Sequence, residues 1–443
     1  MSLDWRGLAA VGLAVLLAGL AVPVRAQNST APAALAAPGN PPQTNALQAY
    51  TLPPEKLAKA IALGRIRNVL EITDLVWSIV VLWLLLATRA AAGLEKWAQR
   101  ISGTRWIQGV VFFAALIAIN QIAALPLDLI GHHYSLAYGI SVQGWASWFG
   151  DLGKGLGLTV LVGVPVLLLF NWIVRKWPQR YWLGLWVVTV PLLIVSIFAE
   201  PLFEPIFYQY EPLQKNHPAL VAELEKLVAR TGTNIPPDRM VLMKASVKTN
   251  GLNAYVSGIG STKRIVVWDT TAGRVPDDEV LFIFGHESGH YVLHHIPKGI
   301  VIYSVTLFFV YWACAALAVW MVRRFGARWG ASELSSRTGF VVLMFAVGIA
   351  SFLLQPADST VHRHFEHQAD VYGQEAIHGI VADPQKTAVA AFDALGEAWL
   401  DDPTPNPFIE FWLYDHPSTE HRAEFALHYD PWANGGHGQF FKN

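Results

Sequence analysis

The segment His286-Glu287-Ser288-Gly289-His290 brings together two imidazoles and a carboxylate at a spacing that suits metal chemistry. On a helix, residues four apart lie on one face, so His286 and His290 can bind the same metal ion. Glu287 lies beside them and can accept a proton from a water molecule that the metal activates. The segment therefore predicts a metal site with Glu287 as its catalytic base.

The residues that flank this segment favour a helix. Pro276 and the acidic residues 277–279 suit a first helical turn, where they complement the helix dipole. Pro297 and Gly299 suit the chain just beyond a last turn. We therefore expect one helix to carry both histidines.

A catalytic zinc site needs a third protein ligand and keeps its fourth position open. Glu366 and Asp370 are also four residues apart, so a second helix would direct both carboxylates to one place. We expect Glu366 to bind one Zn²⁺ per chain and Asp370 to hydrogen-bond the free nitrogen of a ligating histidine. The neighbouring His362, His364 and His367 are alternative ligands.

The composition is that of a membrane protein. Of the 443 residues, 53% are hydrophobic and only 15% are charged, whereas a soluble domain has about 25% charged residues. The net charge of −1 gives no basic field for nucleic acid. Cys314 is the one cysteine, which excludes an intrachain disulfide and a cysteine-based zinc site.

Six apolar stretches approach the length of about 20 residues that a bilayer requires. They cover residues 75–92, 106–130, 156–174, 182–203, 300–322 and 339–354. We expect a mostly α membrane protein, a multi-span helical bundle with four transmembrane helices within residues 73–205 and two within 299–357.

The N-terminus has the features of an export signal. Residues 1–26 combine an early charge, an apolar run and small residues near Ala26, which predicts a signal peptide or a first transmembrane helix. Residues 27–54 are rich in Ala, Pro, Asn, Gln and Thr and cannot bury a core. We expect an exported segment over residues 27–72.

Two polar blocks, 206–298 and 358–443, should form one α+β catalytic unit that two membrane helices interrupt. Alternating residues at 239–244, 254–257 and 264–268 predict strands. Gly258 and Gly260 separate the last two strands and predict a hairpin.

Lys and Arg residues in short loops predict the orientation. The basic loops 89–105, 175–180 and 323–337 should share one face, which should be cytoplasmic. The catalytic unit would then be exported, on the periplasmic side of a bacterial inner membrane.

Further motifs complete a familiar combination. Asn253-Ala254-Tyr255 precedes the histidine pair, Arg363 precedes Glu366 by three residues, and His416-Pro417 precedes Arg422. In this order and at this spacing, the chain resembles zinc endopeptidases of the CAAX prenyl protease type and their bacterial heat-shock membrane protease relatives. The resemblance extends over roughly residues 50–430.

The resemblance implies a zincin-like (gluzincin) catalytic domain that cleaves peptide or protein substrates in contact with membrane lipid. Asn253, Ala254 and Tyr255 would bind the substrate backbone as an added strand. Arg422 would bind substrate and His416 would be catalytic; either could stabilise the oxyanion or hold the zinc-binding helices in place.

The chain departs from this family at one point that bears on its substrate. Eukaryotic members keep the catalytic domain in the cytosol, whereas the distribution of Lys and Arg in this chain predicts an exported catalytic domain. We therefore expect an integral-membrane zinc endopeptidase, in membrane protein processing or quality control, without assigning prenylated CAAX proteins as substrates. The alternative is a membrane scaffold or chaperone with a structural zinc site, which would have no use for Glu287 as a base.

Overall fold

The fold is seen in a computed structural model that describes residues 49–50, 52–258 and 260–442. The predicted signal peptide or first transmembrane helix at residues 1–26 lies outside the described residues. Most of the exported segment before the first described helix does so as well.

Five helices begin the described chain and form most of a membrane bundle. They are α1 (Pro54–Ala87), α2 (Ala90–Ile101), α3 (Arg105–Ala137), α4 (Trp145–Lys176) and α5 (Tyr181–Phe203). Helix α2 is too short to cross a bilayer and lies between α1 and α3. It is at the end of the bundle that carries the basic loops 89–105, 175–180 and 323–337, called the basic end below.

The middle of the chain contains a small sheet and three helices. In chain order these are β1 (Tyr210–Pro212), α6 (Pro218–Thr231), β2 (Met240–Met243), β3 (Ala254–Ser257), β4 (Arg264–Trp268), α7 (Asp269–Ala272) and α8 (Asp277–Val292).

Two long helices then return through the bundle, and three shorter ones end the described chain. They are α9 (His295–Trp329), α10 (Arg337–Ile377), α11 (Pro384–Trp399), α12 (Pro407–Leu413) and α13 (Thr419–His428). The sheet, α6–α8, α11–α13 and the C-terminal part of α10 form one α+β domain at one end of the bundle.

The predicted membrane fold is confirmed. Within the described residues, six helices are long and apolar enough to span a bilayer. They are α1, α3, α4, α5, α9 and α10. A large apolar core unites these helices, and a second core lies within the α+β domain.

Helix α1 begins at Pro54, well before the apolar run at 75–92 that was expected to start it. Its first turns bury Ala60, Leu63 and Arg67 on one side, which is a helical spacing without a long apolar run. Arg67 Nη1 donates to the carbonyl of Trp399 at 2.8 Å, so this part of α1 packs on the α+β domain. The segment assigned to residues 27–72 is therefore helical from Pro54 onward.

Helix α10 also differs from expectation, because it does not end with its apolar stretch. It continues through Pro356 to Ile377 as a single helix. The predicted boundary near residue 357, between a membrane helix and the catalytic unit, therefore falls inside one continuous element. Glu366 and Asp370 are carried on the extension of a membrane helix.

The sheet has the strand order β1-β2-β4-β3. Strand β2 pairs with β4 in parallel, while β1 and β3 pair antiparallel with their neighbours. The predicted hairpin of β3 and β4 is present. Gly258 has a φ of +81°, and a side chain there would meet the carbonyl oxygen of Thr262. Among the strands of the described chain, β3 is at an edge.

Candidate metal centre

Helices α8 and α10 approach each other closely because glycine occupies their contact. A Cβ atom at Gly373 of α10 would lie 2.7 Å from the backbone nitrogen of His286. A Cβ atom at Gly289 of α8 would lie 3.0 Å from the Cβ of Tyr372. Larger residues at these positions would push the helices apart. The close approach brings the histidines of α8 to the carboxylates of α10.

The donor atoms of His286, His290 and Glu366 lie within 4.8 Å of one another. The two Nε2 atoms are 3.2 Å apart. Glu366 places Oε2 at 3.2 Å from His286 Nε2 and Oε1 at 3.5 Å from His290 Nε2. All three side chains are buried. Among the described residues, this is the one His/Cys/Asp/Glu group with such geometry.

Asp370 and Arg422 extend the site behind His286. Asp370 Oδ1 lies 2.8 Å from His286 Nδ1. Arg422, on α13, donates to both oxygens of Asp370 at 2.9 and 2.6 Å. A proton on His286 Nδ1 satisfies Asp370 and leaves the Nε2 lone pair directed at the metal position. The contact expected for Asp370 is thus present, and the contacts of Arg422 favour its structural role over the substrate-binding one, which stays a prediction.

A second chain of hydrogen bonds, which the sequence did not suggest, extends behind His290. His295 Nδ1 lies 3.1 Å from His290 Nδ1, and His295 Nε2 lies 3.0 Å from Gln368 Oε1. If His290 Nδ1–H donates to His295 and His295 Nε2–H donates to Gln368, the Nε2 of His290 is also left free for metal. The left-handed backbone of His294, with φ of +56°, turns the chain so that His295 folds back onto α8.

The only signal of this second chain in the sequence is the position of His295, five residues after His290. That spacing has no regular helical meaning, because the turn at His294 lies between the two residues. The partner Gln368 is on a different helix. Neither periodicity nor a local motif could therefore have identified the pair.

Glu287 is buried beside the two histidines. Burial raises the pKa of its carboxyl to about 7, since the charged form loses contact with water. A carboxyl with a pKa in this range is a better proton acceptor at neutral pH than an ordinary surface glutamate. The position and the environment suit the predicted base.

His416 approaches the same cluster from the segment before α13. Its Nε2 lies 3.0 Å from Glu366 Oε2 and its Nδ1 lies 2.8 Å from Asp415 Oδ1. Burial disfavours a charge on His416, but the Glu366 and Asp415 carboxylates outweigh it and raise its pKa to about 10. An imidazole with a raised pKa therefore lies beside the three donors.

The alternative histidines have other partners. His362 Nε2 lies 2.7 Å from the hydroxyl of Tyr303. The ring of His367 packs against Phe425 with centroids 4.6 Å apart. His364 lies near Phe365. The structure brings Glu366, and none of these three, to the donor group.

The residues proposed for substrate lie on or next to β3. The backbone N–H of Asn253 donates to Thr271 Oγ1. The carbonyl of Asn253 accepts from Thr271 Oγ1 and from the N–H of Trp268. The hydroxyl of Tyr255 donates to Glu204 at 2.7 Å. Ala254 is buried in the strand. Their substrate-binding roles stay predictions.

The donor set fits a zinc ion. Ligands about 2.0–2.1 Å from a tetrahedral zinc lie about 3.3 Å apart, close to the separations found here. Burial disfavours a charge on His286, but Asp370 and Glu366 outweigh it and raise its pKa to about 9. The same carboxylates favour a cation at this position. Two imidazoles and one carboxylate leave a fourth coordination position open, as in catalytic zinc sites.

Two family models match the chain. The model of Peptidase family M48 matches residues 214–430. A second model, described as CAAX prenyl protease N-terminal with five membrane helices, matches residues 35–209. The two matches together cover the membrane bundle and the α+β domain.

Relatives match over most of their length. A Bacillus subtilis protein named uncharacterized metalloprotease YhfN is 31% identical over 86% of this chain and 88% of its own. CAAX prenyl protease 1 of Saccharomyces cerevisiae is 27% identical over 73% of this chain and 72% of its own. The crystal structure of S. mikatae Ste24p superposes with a TM-score of 0.72 at 22% identity, over 85% of this chain and 89% of that one, which shows a common fold.

The chain belongs to peptidase family M48, in the group that includes the CAAX prenyl proteases. It is therefore a multi-pass membrane metallopeptidase.

We predict that His286→Ala, His290→Ala and Glu366→Ala each reduce bound zinc to less than about a tenth of one per chain, because each removes one of three ligands. The measurement is zinc by plasma mass spectrometry on detergent-purified protein.

His367→Ala is the matched control and should keep its zinc, since its ring packs on Phe425. A Glu366→Ala protein with a full complement of zinc, together with a His362→Ala or His367→Ala protein that loses it, would show that the third ligand is wrongly assigned.

Proposed function

We propose that this M48 peptidase is a zinc-dependent endopeptidase that hydrolyses peptide segments close to the membrane surface. One observation carries the proposal: buried His286, His290 and Glu366 direct three donors at one point, with the buried carboxyl of Glu287 adjacent. A structural metal site would have no use for a general base.

Zinc in this site would act as a Lewis acid on the scissile carbonyl and lower the pKa of a water molecule. Glu287 takes the proton of the attacking water and can pass it on to the leaving amine. Its burial holds the carboxyl near the pKa at which it can both accept and release a proton.

The remaining polar side chains fall into two roles. His416, whose pKa the neighbouring carboxylates raise, lies next to Glu366, and we propose that it stabilises negative charge that develops on the carbonyl oxygen. Arg422 and Asp370 hold the ring of His286 from behind and fix its tautomer. His295 does the same for His290.

Strand β3 is the proposed docking edge for substrate. It pairs with β4, and it packs against the histidine-bearing helix α8. Since Trp268 N–H donates to Asn253 O, the antiparallel register puts Tyr255 in a hydrogen-bonded pair with Val266. The main-chain groups of Val256 then point away from β4. An extended peptide pairing with that edge would be held by main-chain contacts, with little demand on its sequence.

The position of the site on α10 suggests the substrate class. Glu366 lies twelve residues beyond Leu354, the end of the apolar stretch, which is about 18 Å along a helix. The site therefore lies close to the bilayer surface, where it can meet segments of membrane proteins. We propose a role in processing or quality control of such proteins. The names of the relatives point to CAAX substrates, which an exported site would not meet.

The basic loops support the proposed orientation. Arg89 donates to the carbonyls of Arg328 and Ala327, and Arg337 lies 3.8 Å from Glu95, so loops from different parts of the chain meet at one end of the bundle. The α+β domain is at the other end. By the positive-inside rule the loops are cytoplasmic and the domain is periplasmic, in a bacterial inner membrane.

We predict that Glu287→Gln lowers peptidase turnover by about 10²–10⁴-fold while zinc stays bound, because glutamine can hydrogen-bond water but cannot take its proton. Turnover is measured on a casein-type or membrane-peptide substrate, together with zinc content.

Glu279→Gln, in the first turn of the same helix, is the control and should leave turnover near wild type. A Glu287→Gln enzyme with more than about a tenth of wild-type turnover would remove Glu287 from the mechanism.

A matched pair of proline variants tests the substrate edge. Val256→Pro should keep zinc but impair cleavage, because it removes a docking donor that points away from β4; it should lower the melting temperature less than Tyr255→Pro, since only the loss of buried packing acts on stability. Tyr255→Pro should destabilise the domain, because it removes a bond to β4. If Val256→Pro is fully active, or melts as early as Tyr255→Pro, β3 is not the docking edge.

The orientation is tested by reporter fusions at the C-terminus. Alkaline phosphatase fused there should be active and a fluorescent protein should be dark, since the described chain ends in the α+β domain. The opposite pattern, a fluorescent fusion with inactive phosphatase, would place the domain in the cytoplasm and reopen the question of CAAX substrates.

A further inference from the structure

A cavity of about 360 Å³ lies at the basic end of the bundle, far from the metal centre. It is formed where α3 and α10 begin and α4 ends, and its lining includes Arg105, Arg175, Lys176 and Arg337. Along α10, Arg337 is 29 residues from Glu366, or about 44 Å. The volume lies in the range of about 300–1,000 Å³ that ligand pockets occupy. The cavity therefore has the size of a binding site and plays no part in the proposed hydrolysis.

Two buried donors that line this cavity have no acceptor among the described residues. They are Arg337 Nε and Asn171 Nδ2. The two residues are only 6% and 5% exposed, so bulk water does not replace the missing partner. Buried donors of this kind are rare, because leaving them unpaired is costly. An acceptor that enters the cavity comes close to both residues, because both line it.

The two terminal nitrogens of Arg337 have partners within the bundle. Nη2 donates to the carbonyl of Arg105 at 2.7 Å, and Nη1 lies 3.8 Å from Glu95. Glu95 also accepts from the backbone N–H groups of Arg337 and Thr338. Its carboxylate is thus occupied by the start of α10 and offsets only one of the four cationic side chains around the cavity.

The cavity has an excess of positive charge and two unpaired N–H donors. A ligand that suits both features is an anion with several acceptor oxygens. A phosphate group meets both requirements, because its oxygens can accept from guanidinium and amide donors together. A carboxylate would satisfy fewer of these groups. The chemistry of the cavity is therefore that of a phosphate site.

The surroundings indicate that the phosphate belongs to a lipid. Trp106 and Trp172 line the same cavity and are 57% and 41% exposed, as is typical of aromatic side chains at a bilayer interface. Ile107 and Val110, next along α3, are also exposed and present an apolar surface to acyl chains. We propose that this cavity binds the phosphate headgroup of an anionic phospholipid in the adjacent leaflet.

The test uses the full-length, delipidated protein in detergent and native mass spectrometry with dioleoylphosphatidylglycerol. Dioleoylphosphatidylcholine is the zwitterionic comparison, and inorganic phosphate in a thermal-shift assay is the soluble one. The wild-type protein should retain one phosphatidylglycerol per chain in preference to phosphatidylcholine. Inorganic phosphate should not reproduce the stabilisation that phosphatidylglycerol gives.

Two variants remove parts of the cavity without touching Arg337, which is also needed to anchor α10. Arg175→Gln/Lys176→Gln removes two exposed cations, and Asn171→Leu removes one unpaired donor at similar size. Each should weaken phosphatidylglycerol binding by at least about tenfold. Arg324→Gln/Arg328→Gln removes two exposed cations from the same end of the bundle outside the cavity and should change binding by less than about twofold.

Zinc content serves as the check that each variant is folded. Equal binding of phosphatidylglycerol by the cavity and control variants would overturn the proposal, as would equal binding of the two lipids by wild type. Stabilisation by inorganic phosphate as strong as that by phosphatidylglycerol would identify a site for a soluble anion instead. None of these outcomes depends on peptidase activity, so they leave the proposed function untouched.

Discussion

The close contact between α8 and α10 is the constraint on which the site depends. Donor atoms within 4.8 Å of one another require two helix backbones nearly in contact, and Gly289 and Gly373 provide the space. Both hydrogen-bond chains link α8 to α10 across that contact. With the helices packed this closely, Asp370 lies within reach of His286 and Gln368 within reach of His295. A methyl group at residue 373 would push α8 and α10 apart and so lengthen all of these distances.

The parts of the site that a sequence predicts are those set by helical periodicity. His286 with His290, and Glu366 with Asp370, are pairs four residues apart, and each pair lies on one helix as that spacing indicates. The six membrane spans were predictable for a similar reason, because apolar length alone marks them. The β3–β4 hairpin followed from alternation and from its glycines.

What periodicity does not encode is which elements meet in space. The partner of Arg422 is 52 residues away, on another helix. The role of His295 depends on a left-handed turn at His294, which the residue type at that position does not predict. The early start of α1 and the extension of α10 past its apolar run were missed for one reason. A helix that leaves the bilayer continues as an amphipathic helix packed on the α+β domain, and apolar length marks only the part of it that lies in the bilayer.

A zinc ion held jointly by α8 and α10 is central to the proposed mechanism, and its position can be measured directly. Crystals of the zinc-loaded protein, with data collected on both sides of the zinc absorption edge, would locate the metal by anomalous scattering. We expect one peak per chain, about 2.0–2.2 Å from His286 Nε2, His290 Nε2 and a carboxylate oxygen of Glu366. A peak coordinated by His362, His364 or His367 in place of Glu366, or no peak between the two helices, would contradict the account.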